Sequence, residues 1–171
     1  VQSDLESYNK IAEIVKKAEI IYDTIGISTY DLAEKENIKI YDWHIEDAEG
    51  IFINIDKINA IALNYDEIGT YIEEKQTLAE ELGHYYMDAT YSPYCKNLQL
   101  ISKQEYRAKK WSYYALIPYG KLKSAIKKGV NTVYYLAEYF DVTVEYMQKA
   151  IEFYREKYGT LTNDEALEIM L

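Results

Sequence analysis

Three acidic residues and one histidine fall within nine positions of this chain: Glu80, Glu81, His84 and Asp88. Glu80, His84 and Asp88 are spaced i, i+4, i+8, so on a helix they share one face, and Glu81 stands one residue round from it. Two side chains four residues apart can grip one ion between them. A carboxylate next door can hold a water on that ion. This is the geometry of the H-E-x-x-H zinc helix, with Glu80 in place of the first histidine. Read by itself, Glu-Glu-x-x-His is more simply a solvated acidic face that ends in a partly buried histidine.

Each remaining chemistry-bearing residue has two readings. Asp88 is a group behind His84 or a plain helix-end acid. Glu105 is a carboxylate free for chemistry or the N3 partner of Ser102 in a capping box. His44, before Glu46 and Asp47, reads as a loop or edge histidine rather than a ligand. Cys95 reads as a bystander thiol in a loop. Glu81-x-x-His84 also matches half of a di-iron bundle site, but the chain has no second Glu-x-x-His. The aromatic residues Trp111, Tyr113, Tyr114, Tyr134, Tyr135, Tyr139 and Phe140 read as core and its rim, any exposed share marking a partner-binding face.

The elements that must position these residues follow from periodicity. Ser3 and Glu6 open an amphipathic helix over roughly 4–23, with Leu5, Tyr8, Ile11, Val15, Ala18 and Ile21 on its apolar face. Ser28 caps a short helix, about 29–36. The period then changes from 3.6 to 2, and three short strands around 38–43, 51–55 and 60–65 suggest an antiparallel meander covered by the flanking helices. Thr70 with Glu73 caps a helix over about 71–88, which carries Glu80 to Asp88. Residues 89–101 lack a period and contain Pro93, so they read as a loop. Ser102 is expected to cap a helix over about 103–117, closed by Pro118. Gly120 and Gly129 bracket a short basic helix. Asn131 caps 132–140, Thr143 caps 144–158, and a further helix starts near Asn163.

Size and composition narrow the function classes. With 171 residues, 49% of them hydrophobic, the chain can bury a sizeable core. Its net charge of −10 argues against nonspecific nucleic-acid binding. Residues 103–128 run the other way, with eight Lys/Arg and one acid; they either face an acidic partner or pair with the acidic remainder. The single Cys95 precludes an internal disulfide and fits a reducing compartment. No apolar run approaches the ~18 residues of a membrane span, and no leader is read at the start, which opens at Val1. The expected location is the cytoplasm.

Two segments taken together carry a resemblance. The first is Leu78-Ala79-Glu80-Glu81-Leu82-Gly83-His84. The second runs from Glu105 to Pro118, with Ala108, Trp111, Ser112, Ala115, Leu116 and Pro118 in the slots of E-x-x-A-x-x-F-A-x-x-L-L-M-P. In this order and at this separation they resemble the ImmA/IrrE family of metallopeptidase-like proteins, whose first helix reads L-A-H-E-L-G-H. The stretch Leu136–Thr143 is also similar to that family's C-terminal part, so the resemblance covers about 35 to 160. It implies a minimal zincin-like fold, a small sheet with the metal helix packed on it; with the periodicity above, the expectation is an α+β domain with a small three-stranded antiparallel sheet packed against helices over residues 1–118 and a helical C-terminal extension over 119–171. It also implies a metal held by Glu80, His84 and Glu105, with Glu81 as general base. The family implies action on a helix-turn-helix repressor of a phage or mobile element, so a protein partner is expected.

The substitution at position 80 alters the expected chemistry. Two histidines and one carboxylate leave a zinc site at +1, whereas one histidine and two carboxylates leave it neutral. A neutral site polarises a carbonyl less and acidifies its water less. It also suits harder ions, so Mn²⁺, Fe²⁺ or Mg²⁺ stand beside Zn²⁺ as candidates. Weak metal binding and slow or absent peptidase activity are therefore expected. The alternative is a peptidase-derived module that binds its partner without cleaving it. A helix-turn-helix reading of Leu136–Ile151 is disfavoured, because its second helix opens Val144-Glu145-Tyr146 and a Glu there repels phosphate.

Overall fold

The computed structural model describes residues 26–56, 58–91 and 95–159. The helices expected over 4–23 and from Asn163 lie outside these residues. The fold is α+β: six helices and one three-stranded sheet among the described residues.

Helix α1 (Thr29–Lys35) is capped by Ser28, whose side chain accepts the Asp31 N–H. It ends at Asn37, which takes a left-handed φ of 53°. Strands β1 (Lys39–Asp42), β2 (Gly50–Ile55) and β3 (Ile58–Leu63) follow. The hairpin between β2 and β3 pairs Ile55 with Ile58, and Asp56 takes the positive φ that so tight a turn requires.

The sheet is mixed, not a meander. Its order is β1-β3-β2, with β1 parallel to β3 and β2 antiparallel to it. The cause lies in the connection from β1 to β2, which is too long for a tight hairpin and leaves room for β3 between them. Asn64, buried at the end of β3, fastens that connection. Its amide donates to the Ile45 and Ala48 carbonyls at 2.8 and 3.0 Å, and its backbone N–H donates to Glu49 O at 2.8 Å.

Two apolar cores meet along one helix. Helix α2 (Tyr71–Tyr86) is capped by Thr70, which accepts the Glu73 N–H, while the Glu73 carboxylate accepts from Gly69 N–H. Its Leu78 and Leu82 pack with Leu32, Ile61 and Leu63 under the sheet. Helix α3 (Leu98–Leu116) adds Trp111 and Ala115 to that core. From another side of α3, Tyr113 joins a second core built by α4 (Tyr119–Lys127), α5 (Val133–Phe140) and α6 (Val144–Tyr158), with Leu122, Ile126, Leu136, Met147 and Tyr154 at its centre. Tyr154 donates its hydroxyl to Ile117 O at 2.6 Å, satisfying a carbonyl that the end of α3 leaves without a helical partner. Polar ties join the α5–α6 turn to α2: Lys75 pairs with Asp141 at 2.6 Å, and the Thr143 N–H donates to Gln76 at 2.6 Å.

Helix α3 starts five residues earlier than expected. Asn97, not Ser102, is its cap, accepting the Leu100 N–H at 3.1 Å. Glu105 therefore lies well inside the helix and has no capping duty. At α5 the cap is Thr132, one residue past the expected Asn131. The expected bounds of α6 and its Thr143 cap match the structure.

Candidate metal centre

The site lies in the seam between α2 and α3, and two small residues set how close that seam is. A Cβ added to Gly83 would lie 2.3 Å from the backbone oxygen of Ala108. Only hydrogen at 83 permits this approach, so the Gly of the first segment and the Ala of the second are one contact. The same closeness recurs at the sheet. A Cβ on Gly50 would meet the Thr77 methyl at 2.7 Å and the Glu81 side chain at 3.2 Å. Gly50 thus lets the start of β2 lie against α2.

With the helices this near and antiparallel, residues four apart on each align as two rungs. Glu80 and His84 stand on α2; Lys109 and Glu105 stand opposite on α3. His84 Nε2 is 3.7 Å from Glu105 Oε2. One turn away, Lys109 Nζ is 3.1 and 3.3 Å from the two oxygens of Glu80.

The first rung is anchored at both ends. His84 Nδ1 lies 2.7 Å from the carbonyl oxygen of Ala89. A carbonyl only accepts, so Nδ1 carries the proton and Nε2 is turned toward Glu105. Asp88 makes this possible: exposed, with φ of 47°, it turns the chain just past α2 so that Ala89 returns to His84. Its part is in the backbone turn. Arg107 donates to Met87 O and to Gln104, fastening the same turn to α3. Glu105 in turn accepts from the Tyr91 hydroxyl at 2.5 Å.

The electrostatics follow from these contacts. Burial alone would lower the His84 imidazole, but Glu105, the Ala89 carbonyl and the charge of Glu81 outweigh it and push it up to about 8. His84 beside it holds the Glu105 carboxyl below its ordinary range, against the opposing effect of burial. Burial pushes Glu81 up to about 7. The neighbouring Glu80 adds to this, while His84 and the Phe52 backbone N–H oppose it. A carboxyl that titrates near neutrality, one residue from the His84 face, has the acidity of a general base or acid.

The donor set fits a divalent metal in part. Two ligands held tetrahedrally at about 2.0–2.2 Å from zinc stand roughly 3.4 Å apart. The His84–Glu105 separation is close to that, and an imidazole whose other nitrogen is fixed by a carbonyl is oriented as a ligand. Glu80 is directed to Lys109. Among the described residues, no group of three or more His, Cys, Asp or Glu is set to hold an ion. His44 is exposed and pairs with Asp66 at 2.9 Å, and Cys95 is a half-buried free thiol in the loop before α3.

Sequence reading missed Lys109, Tyr91 and the Ala89 carbonyl. Lys109 had a signal, since Glu105 and Lys109 repeat on α3 the i, i+4 spacing of Glu80 and His84. Tyr91 and Ala89 lie in an aperiodic stretch that offers none.

Comparison with known proteins bears on the whole arrangement. No curated protein matches the chain. The model of the IrrE N-terminal-like domain, peptidase family M78, matches residues 32–152, from α1 into α6. No described helix is long and apolar enough to cross a membrane. The match covers both helices of the seam and more than half of the sequence, so this chain belongs to the IrrE N-terminal-like family of metallopeptidases.

Proposed function

We propose that this protein is a metal-dependent, peptidase-type regulator that acts on a protein partner. The observation that carries the reading is the His84–Glu105 pair, 3.7 Å apart, with Glu81 alongside on the same helix. The family's metallopeptidase character supports a metal cofactor there. His84 and Glu105 would hold the ion, with Glu80 as third ligand once released from Lys109. Zn²⁺ is the first candidate; Mn²⁺, Fe²⁺ and Mg²⁺ follow because two carboxylates favour harder ions. When bound, such an ion supplies Lewis acidity to a peptide carbonyl and acidity to a water.

The chain's own residues supply the remaining parts. Glu81 accepts a proton at its carboxylate and returns it to the leaving amine. Glu81 lies close against Gly50 at the start of β2, an edge strand whose outer side faces no other strand of the sheet. An extended peptide can be laid along such an edge by backbone hydrogen bonds. As partner we propose a helix-turn-helix repressor of a phage or mobile element, a reading supported only by the family resemblance.

The test is titration of chelator-treated protein with Zn²⁺ and with Mn²⁺. One equivalent should bind, and His84→Ala and Glu105→Ala should each remove that binding. Binding that survives both substitutions would sink the reading. A second reading, a module that binds its partner without cutting it, is favoured by the Glu80–Lys109 pair, which neutralises the third carboxylate without an ion. Glu81→Gln separates the two. Loss of partner turnover with retained binding supports the enzyme; no change supports the module.

A further inference from the structure

We propose that Lys109 is a built-in competitor for the metal, occupying the third ligand Glu80 so that an ion is admitted only when the ammonium leaves. The inference rests on the metal reading above. Three observations carry it. Both Glu80 oxygens lie within 3.3 Å of Lys109 Nζ, so the carboxylate has little left to offer an ion until that pair opens. The competing group is placed by the helix itself. Lys109 is four residues from Glu105 on α3, and Glu80 is four residues from His84 on α2, which sets the two pairs about 6 Å apart along the seam. Finally, the ammonium has a way out. The Lys109 side chain is 37% exposed and, among the described residues, has no second carboxylate within ion-pair distance, whereas that of His84 is 11% exposed and held on both ring nitrogens.

A Lys stem is long and flexible enough to swing off a carboxylate while its head stays in water. The device thus has two arrangements. With Lys109 on Glu80, the site holds two fixed donors and a positive neighbour. With Lys109 turned out to solvent, Glu80 is free to close the ligand set.

Charge sets the size of the effect. The freed Glu80 carboxylate, a unit negative charge within about 6 Å of a divalent ion, attracts it, even in a water-like medium, by an amount equal to roughly tenfold in affinity. The experiment measures Zn²⁺ affinity by competition with a chromophoric chelator, using the full chain and Zn²⁺ alone as probe. Lys109→Met should bind at least about tenfold more tightly than the unsubstituted protein. Lys109→Arg keeps the charge and should stay close to the unsubstituted protein. Adding Glu80→Gln to Lys109→Met should abolish the gain. Far-UV circular dichroism of every variant checks that the fold persists.

The failures are distinguishable. If Lys109→Met binds no more tightly while His84→Ala still abolishes binding, the competitor role is wrong and the metal reading stands. If the gain survives Glu80→Gln, the freed carboxylate is not its source and Glu80 is not the contested ligand, which overturns the proposal. If His84→Ala leaves Zn²⁺ binding untouched, the metal reading and the proposal fall together.

Discussion

The two rungs between α2 and α3 have the same helical spacing and opposite construction. The His84–Glu105 rung is braced from outside. Ala89 holds the imidazole, Tyr91 holds the carboxylate, and Arg107 ties down the turn behind them. The Glu80–Lys109 rung rests on its own two charges. A braced pair keeps its geometry whether or not anything binds it. An unbraced pair of long side chains is an exchangeable contact, and such contacts contribute little to stability. The difference shows that identical i, i+4 placement on facing helices can give a fixed donor pair at one level and a movable counter-ion one turn away.

The largest effect should come from removing what makes both rungs possible. Gly83→Ala gains up to about 1 kcal/mol in helix propensity. Its methyl, however, would sit 2.3 Å from the Ala108 carbonyl. Overpacking against backbone in a tight seam costs about 3 kcal/mol or more. The clash wins, and a net loss of about 2 kcal/mol or more is expected in urea or thermal unfolding, with loss of Zn²⁺ binding as the helices separate. A variant as stable as the parent would show that the seam yields, and the two rungs would no longer be fixed by this contact.

Next in size is the pH dependence of the braced rung in chelator-treated protein. The folded state raises His84 from its ordinary value to about 8. A raised group lends stability that is fully present below its unfolded pKa, about 6.5, and is lost as pH rises through about 8. Glu81, raised by burial to about 7, acts in the same direction, since its ionised form is disfavoured in the fold. Stability should therefore fall as pH rises from about 5 to 8, by on the order of 1–2 kcal/mol after allowance for the coupling of the two groups. Urea midpoints at pH 5, 6.5 and 8 measure it. The double variant Glu81→Gln, His84→Ala should flatten the slope, and an equally steep slope in that variant would assign it to other groups.

Much of this arrangement was legible in the sequence, and the gaps have physical causes. The face carrying Glu80 and His84, the Thr70 cap of α2 and the limits of α6 are local matters of period and capping. They were read correctly because nothing distant overrides them. Glu105 was ambiguous because Ser102 and Glu105 satisfy a capping pattern locally. The helix begins earlier, at Asn97, and the ambiguity disappears once α3 is seen to run through both residues. The sheet order was missed although a signal was present. Ala60-Ile61-Ala62-Leu63 is a continuous apolar run, as befits a strand buried on both faces. The Ala89 carbonyl and the Tyr91 hydroxyl left no trace. A backbone acceptor carries no residue type, and a loop tyrosine among 20 tyrosines has no period to mark it.

The smallest effect sharpens the contrast most. In metal-free protein, Lys109→Met removes the ammonium from Glu80. An ion pair this exposed is worth about 0–1 kcal/mol once solvent screening and side-chain entropy are counted. Glu80 is itself 30% exposed, so its freed carboxylate can be hydrated in place. The methionine keeps the apolar stem along the seam. Stability should thus change by less than about 1 kcal/mol, while at the braced rung His84→Ala strips both the Ala89 carbonyl and Glu105 of their partner and should cost about 1–3 kcal/mol. Unfolding of the two variants side by side in chelator makes the comparison. Losses of equal size would mean that Lys109 is as firmly built in as His84, and a structural strut cannot also be the group that steps aside for an ion.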